Sequence, residues 1–155
     1  MIGIIGAVAY VFKEWAVKLK FLLTGGKKAD TNTEKIPIVI FSDDKRYWSV
    51  FKPICEEMNS RGIDVVYMTA SKDDPAFDEN LQHLDAQFIG EGNRAFSKLN
   101  FLNATMLIST TPGLDVFQWK RSKNVDYYVH VLHAASNTCG YHMFGIDYYD
   151  AVLIS

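Results

Sequence analysis

Histidines near the end of a predicted strand are the residues here best suited to move a proton at neutral pH. The stretch from Tyr127 to His133 reads YYVHVLH, and strand alternation puts His130 and His133 on opposite faces. His133 falls at the carboxyl end, where an imidazole can act as a general base on an alcohol. His133 is therefore the candidate catalytic residue, and His130, in mid-strand, is predicted to be a hydrogen-bonded core residue. His142 lies in the polar stretch 137–143, and we expect it over the same edge as a substrate contact.

Two earlier loops offer groups that can hold a polar or anionic substrate. The candidate contacts on and after these loops are Lys45, Arg46, Thr110, Thr111, Gly113, Lys120 and Arg121. The basic pair at 45–46 lies at a predicted helix N-terminus, where backbone N–H groups attract anions. The threonine hydroxyls bind polar ligands, and the glycine permits a turn with positive φ. On spacing alone, a solvated turn or helix end is the simpler interpretation of each basic pair.

Several functional classes lack their expected sequence pattern. The segment after the first predicted strand, from Ser42 to Trp48, has neither a GxGxxG nor a Walker A pattern. The two cysteines, Cys55 and Cys139, have no zinc-ligand spacing, and Cys55 is predicted to be a small core residue. The formal net charge of −2 over 155 residues is not the basic footprint of a nucleic-acid-binding chain.

Short β-branched runs alternate with helical patterns along the body of the chain. This alternation predicts an α/β fold, a Rossmann-like and mostly parallel sheet with helices on both faces. In such a sheet, ligands bind beyond the carboxyl ends of the strands. Strands are predicted at 36–41, 63–69, 86–89, 105–109, 127–133 and 151–154, and helices at 48–60, 93–103 and 114–122.

The first part of the chain is predicted to be separate from this domain. Residues 1–26 form an apolar segment with lysines in its second half, and the polar stretch 27–35 is typical of a linker. An interfacial helix on an anionic membrane fits this pattern, and so does a helix packed on the domain or on a partner. We expect the Rossmann-like domain to occupy 36–155 and to be truncated at its C-terminus.

From Pro37 onward the sequence resembles the CDP-glycerol glycerophosphotransferase family, whose members polymerise or prime chains of teichoic-acid type. The resemblance lies in the order of several segments over roughly 120 residues, none of them specific alone. These segments are Ile38–Ser42 with Tyr47-Trp48 and Phe51–Pro53, then 62–69, 110–115 with 120–122, 128–133 and 144–154.

This resemblance implies a GT-B-like architecture, in which two Rossmann-like domains face a cleft, with only the acceptor-side domain present here. His133 matches the family's catalytic base, which deprotonates the acceptor hydroxyl for attack on the β-phosphate of CDP-glycerol. Ala134 stands where the family usually has glycine. The implied partners are CDP-glycerol, bound by the missing second domain, and an anionic glycerol-phosphate or lipid-linked acceptor. The implied location is cytoplasmic, peripheral at the inner face of the plasma membrane, and the chemistry requires no metal or organic cofactor.

Two other functions stay open from the residues. One is a non-catalytic Rossmann-like binding module, or inactive fragment, that associates with a membrane or a partner chain. The other is a flavodoxin-like or receiver-like domain. A receiver is disfavoured because Ser109-Thr110 stands where a phosphoacceptor aspartate would end a middle strand.

Overall fold

The computed structural model describes residues 35–133 and 143–154. Six strands form one sheet in which every neighbouring pair is parallel. The strands are β1 (Ile36–Ser42), β2 (Val65–Thr69), β3 (Leu84–Phe88), β4 (Asn103–Ser109), β5 (Asn124–Val131) and β6 (Ala151–Leu153). The helices are α1 (Trp48–Ser60) and α2 (Asn93–Leu99), with 3-10 turns at Lys45–Tyr47 and Pro75–Asp78. The predicted α/β, Rossmann-like class is confirmed. The predictions for 1–26, and for all of the linker but its last residue, fall outside the described residues.

The strand order is β3-β2-β1-β4-β5-β6. The chain moves outward from β1 to β3 and then crosses back to β4, so the direction of travel reverses between β1 and β4. This reversal opens a crevice beyond the carboxyl ends of these two central strands. Pro37 fits the central strand β1 because pairing with β2 begins only at Val39, so its missing N–H breaks no ladder there.

The sheet is covered on both faces, as parallel sheets require. On the α1 face, helix α1 buries Trp48, Phe51 and Cys55 against the sheet. The other members of that cluster include Ile40, Val65, Tyr67, Ile108, Val129 and Val131. On the α2 face, Ala95 and Leu99 join a second cluster that includes Val39, Phe41, Leu107, Leu114, Trp119, Tyr128 and Tyr149. Successive residues alternate between the two clusters along β2 and from Val39 to Phe41 in β1, which fixes the register of these central strands.

The predicted helix at 114–122 is wrong. The segment is a series of turns, because Gly113 has φ +87° and Asp115 has φ +64°, both outside the helical region. Its core contribution comes from Trp119, which is almost fully buried and packs edge-on against Phe41 at 5.3 Å between ring centroids. The predicted helix at 93–103 ends earlier, at Leu99, and β5 ends at Val131, two residues before His133.

Asp150 extends the pairing between β5 and β6 by one position. Its N–H donates to the Tyr128 carbonyl at 2.9 Å, and its carboxylate accepts the Tyr128 N–H at 2.7 Å. Arg121 donates to the same carboxylate at 2.8 Å, and its guanidinium lies 4.5 Å from the Tyr128 ring centroid. Partial burial disfavours the charge of Asp150, but the hydrogen bonds from Arg121 and Tyr128 outweigh burial and lower its pKa overall.

The Asp150→Ala variant should therefore lose about 1–2 kcal/mol of unfolding free energy. It loses charge-assisted hydrogen bonds, and partial exposure to solvent limits how much each of them contributes. Urea denaturation at neutral pH measures this loss. The matched control is Glu57→Ala, which removes a carboxylate from an exposed i,i+4 pair with Arg61 and should cost only about 0.3–0.5 kcal/mol. Equal losses in the two variants would contradict the role given to Asp150.

Candidate functional site

Three neighbouring strands deliver polar side chains to one edge of the sheet. Asp43 follows β1, Thr111 follows β4 and His133 follows β5. The strands are parallel and adjacent in the order β1-β4-β5, so their carboxyl ends lie side by side at the crevice. Thr110 and the nearby Tyr47 complete the set. We call these five residues, Asp43, Tyr47, Thr110, Thr111 and His133, the edge cleft.

Asp43 is exposed to solvent, yet the pKa of its carboxyl group is raised. The main cause is the packing of protein around the carboxyl group, which disfavours its charge. The nearby Thr111 side chain and the charge of His133 lower the pKa in part, while the charge of Asp44 raises it; the Thr111 hydroxyl has no hydrogen-bond partner of ordinary geometry among the described residues. Asp43 therefore lies at the edge after β1, within electrostatic range of His133.

His133 is exposed and packs on Tyr47, with ring centroids 4.6 Å apart and planes inclined at 60°. Tyr47 closes the 3-10 turn that follows β1, where its N–H donates to the Asp44 carbonyl at 3.0 Å. The Asp44 side chain caps the same turn by accepting the Arg46 N–H at 2.9 Å. The loop after β1 thus supplies both a carboxylate and an aromatic wall to the histidine after β5.

Hydrogen bonds from its backbone groups to neighbouring residues hold the loop after β4 in place. The Thr111 N–H donates to Ser109 Oγ at 3.0 Å, and the Thr111 carbonyl accepts the Tyr149 hydroxyl. Thr110 is fully buried, and its hydroxyl has no hydrogen-bond partner within the described parts of the chain. The Gly113 N–H donates to the Gly145 carbonyl at 2.6 Å, and an added Cβ at Gly113 would lie 2.6 Å from the Phe117 ring. Glycine is required at 113 both by its positive φ and by this contact.

The basic pair at 45–46 lies at this edge, but both members already hold carboxylates. Lys45 pairs with Asp73 in the loop after β2, and its N–H donates to Ser71 Oγ at 3.0 Å. Arg46 donates to Asp44 at 3.0 Å. Both side chains are largely exposed, so these pairs are weak and each cation can exchange partners. The predicted role of this pair as an anion contact stays a prediction.

Lys120 and Arg121 lie away from the edge cleft. The Lys120 N–H donates to Asn100 Oδ1 at 2.7 Å, and Asn100 precedes the amino end of β4. Arg121 binds Asp150 and the Tyr148 carbonyl. These contacts place the pair before the amino end of β5, whereas His133 follows its carboxyl end. The structure therefore does not bring these two predicted substrate contacts together with His133.

The other two histidines singled out in the sequence are His130 and His142. His130 is fully buried in β5, as expected for a core residue. Burial, with a smaller effect from the charge of His133, lowers the pKa of His130 to about 4, so it is neutral at pH 7. His142 lies outside the described residues, as does Cys139. Cys55 is a buried free thiol, and burial raises its pKa to about 12, which leaves it unreactive.

Two residues of the edge cleft, Asp43 and Tyr47, carry no functional assignment in the sequence interpretation. In the sequence, Asp43 is one polar residue of the segment from Ser42 to Trp48, and nothing in that segment singles it out. The signal that reveals it is the strand order, because β1 and β4 are neighbours although β1 ends at Ser42 and β4 begins only at Asn103.

The described residues contain no group of three or more side chains arranged to hold a metal ion. The loop after β1 presents Asp43 and Asp44 where a dinucleotide-binding loop presents glycines to a pyrophosphate. No helix within 35–133 or 143–154 is long and apolar enough to cross a membrane. The edge cleft can support proton transfer among the Asp43 carboxyl group, the His133 imidazole and the hydroxyl groups of a bound ligand.

Comparison with known proteins finds no match for this chain among protein-family models, curated proteins or solved structures.

The raised pKa of Asp43 has a consequence for stability. The folded protein binds the Asp43 proton more tightly than the unfolded chain does. Protonated Asp43 therefore stabilises the fold at low pH, and this stabilisation is lost as pH rises through the folded pKa. The Asp43→Asn variant cannot ionise. It should therefore gain stability relative to the wild type as pH rises from about 3 to about 7, because the wild-type carboxylate becomes charged over that interval.

Urea midpoints measured across this pH range test the prediction. Asp73→Asn is the opposite control: Lys45 lowers the pKa of Asp73, so this variant should lose stability relative to the wild type as pH rises. Parallel pH trends in the two variants would contradict the environment assigned to Asp43.

Proposed function

We propose that this chain is the acceptor-side domain of a glycerophosphotransferase, which transfers glycerol phosphate from CDP-glycerol to a hydroxyl of a cell-surface polymer or its lipid-linked precursor. The observation that carries the proposal is the position of His133. It is an exposed imidazole at the carboxyl edge of β5, packed on Tyr47 and close enough to Asp43 to affect its pKa. The sequence resemblance supplies the reaction, and the edge cleft supplies a base suited to it.

In this proposal His133 accepts the proton of the acceptor hydroxyl as its oxygen attacks the β-phosphorus of CDP-glycerol. The new P–O bond forms as the bond to the CMP oxygen breaks, and CMP leaves. The proton held by His133 passes to solvent or to CMP. Asp43, when ionised, stabilises the imidazolium that forms, as a carboxylate does beside a catalytic histidine. The groups that bind CDP belong to the expected second domain.

The proposed location is the inner face of the plasma membrane, with the protein held there peripherally. The support is the sequence of residues 1–26, an apolar segment that acquires lysines in its second half. Such a composition suits an anionic lipid surface.

One observation favours the alternative, a non-catalytic module that binds a membrane or a partner chain. Both basic residues of the loop after β1 are paired with aspartates, so the diphosphate of the donor would have to displace an aspartate to bind either cation. Transfer activity separates the two functions.

The His133→Ala variant should lower transfer by about 10²–10⁴-fold, the usual contribution of a general base. The assay uses the native protein purified from its source, radiolabelled CDP-glycerol and membranes from the same cells, with label in polymer as the readout. The control is His83→Ala, since His83 precedes the amino end of β3 and contacts Asp64 at 2.7 Å. Transfer unchanged by His133→Ala would remove His133 from the mechanism, and no transfer by the wild type would favour the non-catalytic module.

A further inference from the structure

The amino ends of β4 and β5 form a second surface, at the edge of the sheet opposite the edge cleft. Two segments build it, one joining α2 to β4 and the other leading into β5. The Asn100 side chain connects them: its Nδ2 donates to the Gln118 carbonyl at 3.3 Å, and its Oδ1 accepts the Lys120 N–H at 2.7 Å. Ser122 Oγ donates to the Leu102 carbonyl at 2.6 Å. These hydrogen bonds hold the two segments together as one surface.

Phe101 projects from this surface. It is 84% exposed, the largest exposed fraction among the large hydrophobic residues that the structure describes. The backbone around it is fixed, because the Phe101 N–H donates to the Lys98 carbonyl at 3.1 Å and the next residue, Leu102, is buried. A single exposed ring is common on protein surfaces. This ring differs from the common case because of the charges that lie on the same two segments.

Three lysines on these segments carry charges that no carboxylate balances. Lys98 and Lys123 are exposed and form no ion pair with any residue in 35–133 or 143–154. Lys120 is also exposed, and its Nζ donates to the neutral Asp115 carbonyl at 2.8 Å. We call Lys98, Phe101, Lys120 and Lys123 the amino-end patch. It combines three positive charges with one protruding aromatic ring.

The charge of the amino-end patch is local. At the opposite edge of the sheet, Lys45, Arg46 and Lys72 each pair with a carboxylate. Beyond β1, the amino ends of β2 and β3 carry Asp64 and Asp85, so the positive surface is limited to the side of β4 and β5. The whole chain has a formal net charge of −2. A positive patch on such a chain favours one orientation toward an anionic surface.

An anionic lipid bilayer is complementary to both features of the amino-end patch. Lysine ammonium groups attract anionic headgroups, while lysine stems and an aromatic ring enter the apolar boundary beneath them. The chain enters the domain at this same edge, because Lys35 directly precedes β1. The sequence connected there through the predicted linker, residues 1–26, is apolar with lysines in its second half.

We propose that the amino-end patch docks on an anionic lipid bilayer. Because the patch and the edge cleft lie at opposite ends of parallel strands, the docked domain turns the cleft away from the lipid. The inference goes beyond the proposed function, since it concerns a different surface and holds whether or not the chain transfers glycerol phosphate. It also adds a contact within the described domain to the one proposed for residues 1–26.

Vesicle binding by the full chain tests the proposal. Partition onto phosphatidylcholine vesicles containing about one third phosphatidylglycerol is measured by co-sedimentation, with pure phosphatidylcholine vesicles as the neutral comparison. The wild type should bind the anionic vesicles more tightly than the neutral ones, and rising salt should reduce this preference because it screens the lysine charges.

Two variants remove the features of the patch separately. Lys98→Gln/Lys123→Gln should weaken binding to anionic vesicles about 25-fold, since each lysine near such a surface contributes roughly a fivefold factor. Phe101→Ser should weaken binding about tenfold, because the ring no longer leaves water. All three side chains are exposed, so circular dichroism should show the wild-type fold in both variants.

The controls make the same chemical changes elsewhere. Lys72→Gln/Arg94→Gln removes two positive charges from the loop after β2 and the first turn of α2. Phe77→Ser removes an exposed ring from the 3-10 turn Pro75–Asp78. Each control should change binding by less than about twofold, because these side chains lie outside the screened range of a docked bilayer. Losses in the controls equal to those in the patch variants would overturn the proposal.

Hydrogen exchange of the wild type tests the orientation. Anionic vesicles should slow amide exchange in 98–102 and 118–124 and leave 42–47 unchanged. Single-stranded DNA at equal phosphate concentration should not displace the protein from the vesicles. The proposal is overturned if the wild type shows no preference for anionic vesicles, if protection falls on 42–47 instead, or if either patch variant binds as the wild type does. Displacement by DNA would also overturn it, since the patch would then bind a soluble polyanion. No donor or acceptor is present in these measurements, so their outcome is separate from that of the transfer assay.

Discussion

The strand order constrains everything else in this molecule. All neighbouring strands are parallel, and the order reverses between β1 and β4. Only this arrangement makes the carboxyl ends of β1, β4 and β5 neighbours, and each of those ends carries a polar residue of the edge cleft. The ladder hydrogen bonds and the two apolar layers hold the order in place, because a shift of one residue in any strand would exchange its two faces. The cleft is therefore a product of the sheet rather than of any one loop.

Charge is distributed unevenly around that cleft. Asp43 keeps a carboxyl group where surrounding protein disfavours its ionisation. The adjacent basic residues form ion pairs with other aspartates, which ties the loops after β1 and β2 together. Such a site stores an unfavourable charge, a common feature of positions retained for chemistry or binding rather than for stability. Farther away, Arg121 stabilises the pairing of β5 with β6 through Asp150. Arg121 was predicted to contact substrate, but in the structure its contacts are with the sheet.

Much of the fold follows from local sequence. Runs of β-branched residues predict the six strands to within a few residues, and alternation within β5 correctly separates buried His130 from exposed His133. The site is harder to predict because its contacts are non-local. Nothing near Tyr47 in the sequence shows that its ring packs on His133, since that contact depends on β1 and β5 flanking the same neighbour, β4. The helix expected at 114–122 does not form because Asp115 takes a positive φ, and the turns that replace it bury Trp119 against the non-local core residue Phe41.

A double-mutant cycle tests most directly whether Asp43 and His133 act as one unit across the ends of β1 and β5. Transfer from CDP-glycerol by the native protein is measured for the wild type, Asp43→Asn, His133→Ala and the double variant. Groups that act together give non-additive losses. We expect the double variant to be no slower than His133→Ala alone, because Asp43 then has no imidazolium left to stabilise. Losses that add as free energies would contradict it, since the two residues would then contribute independently.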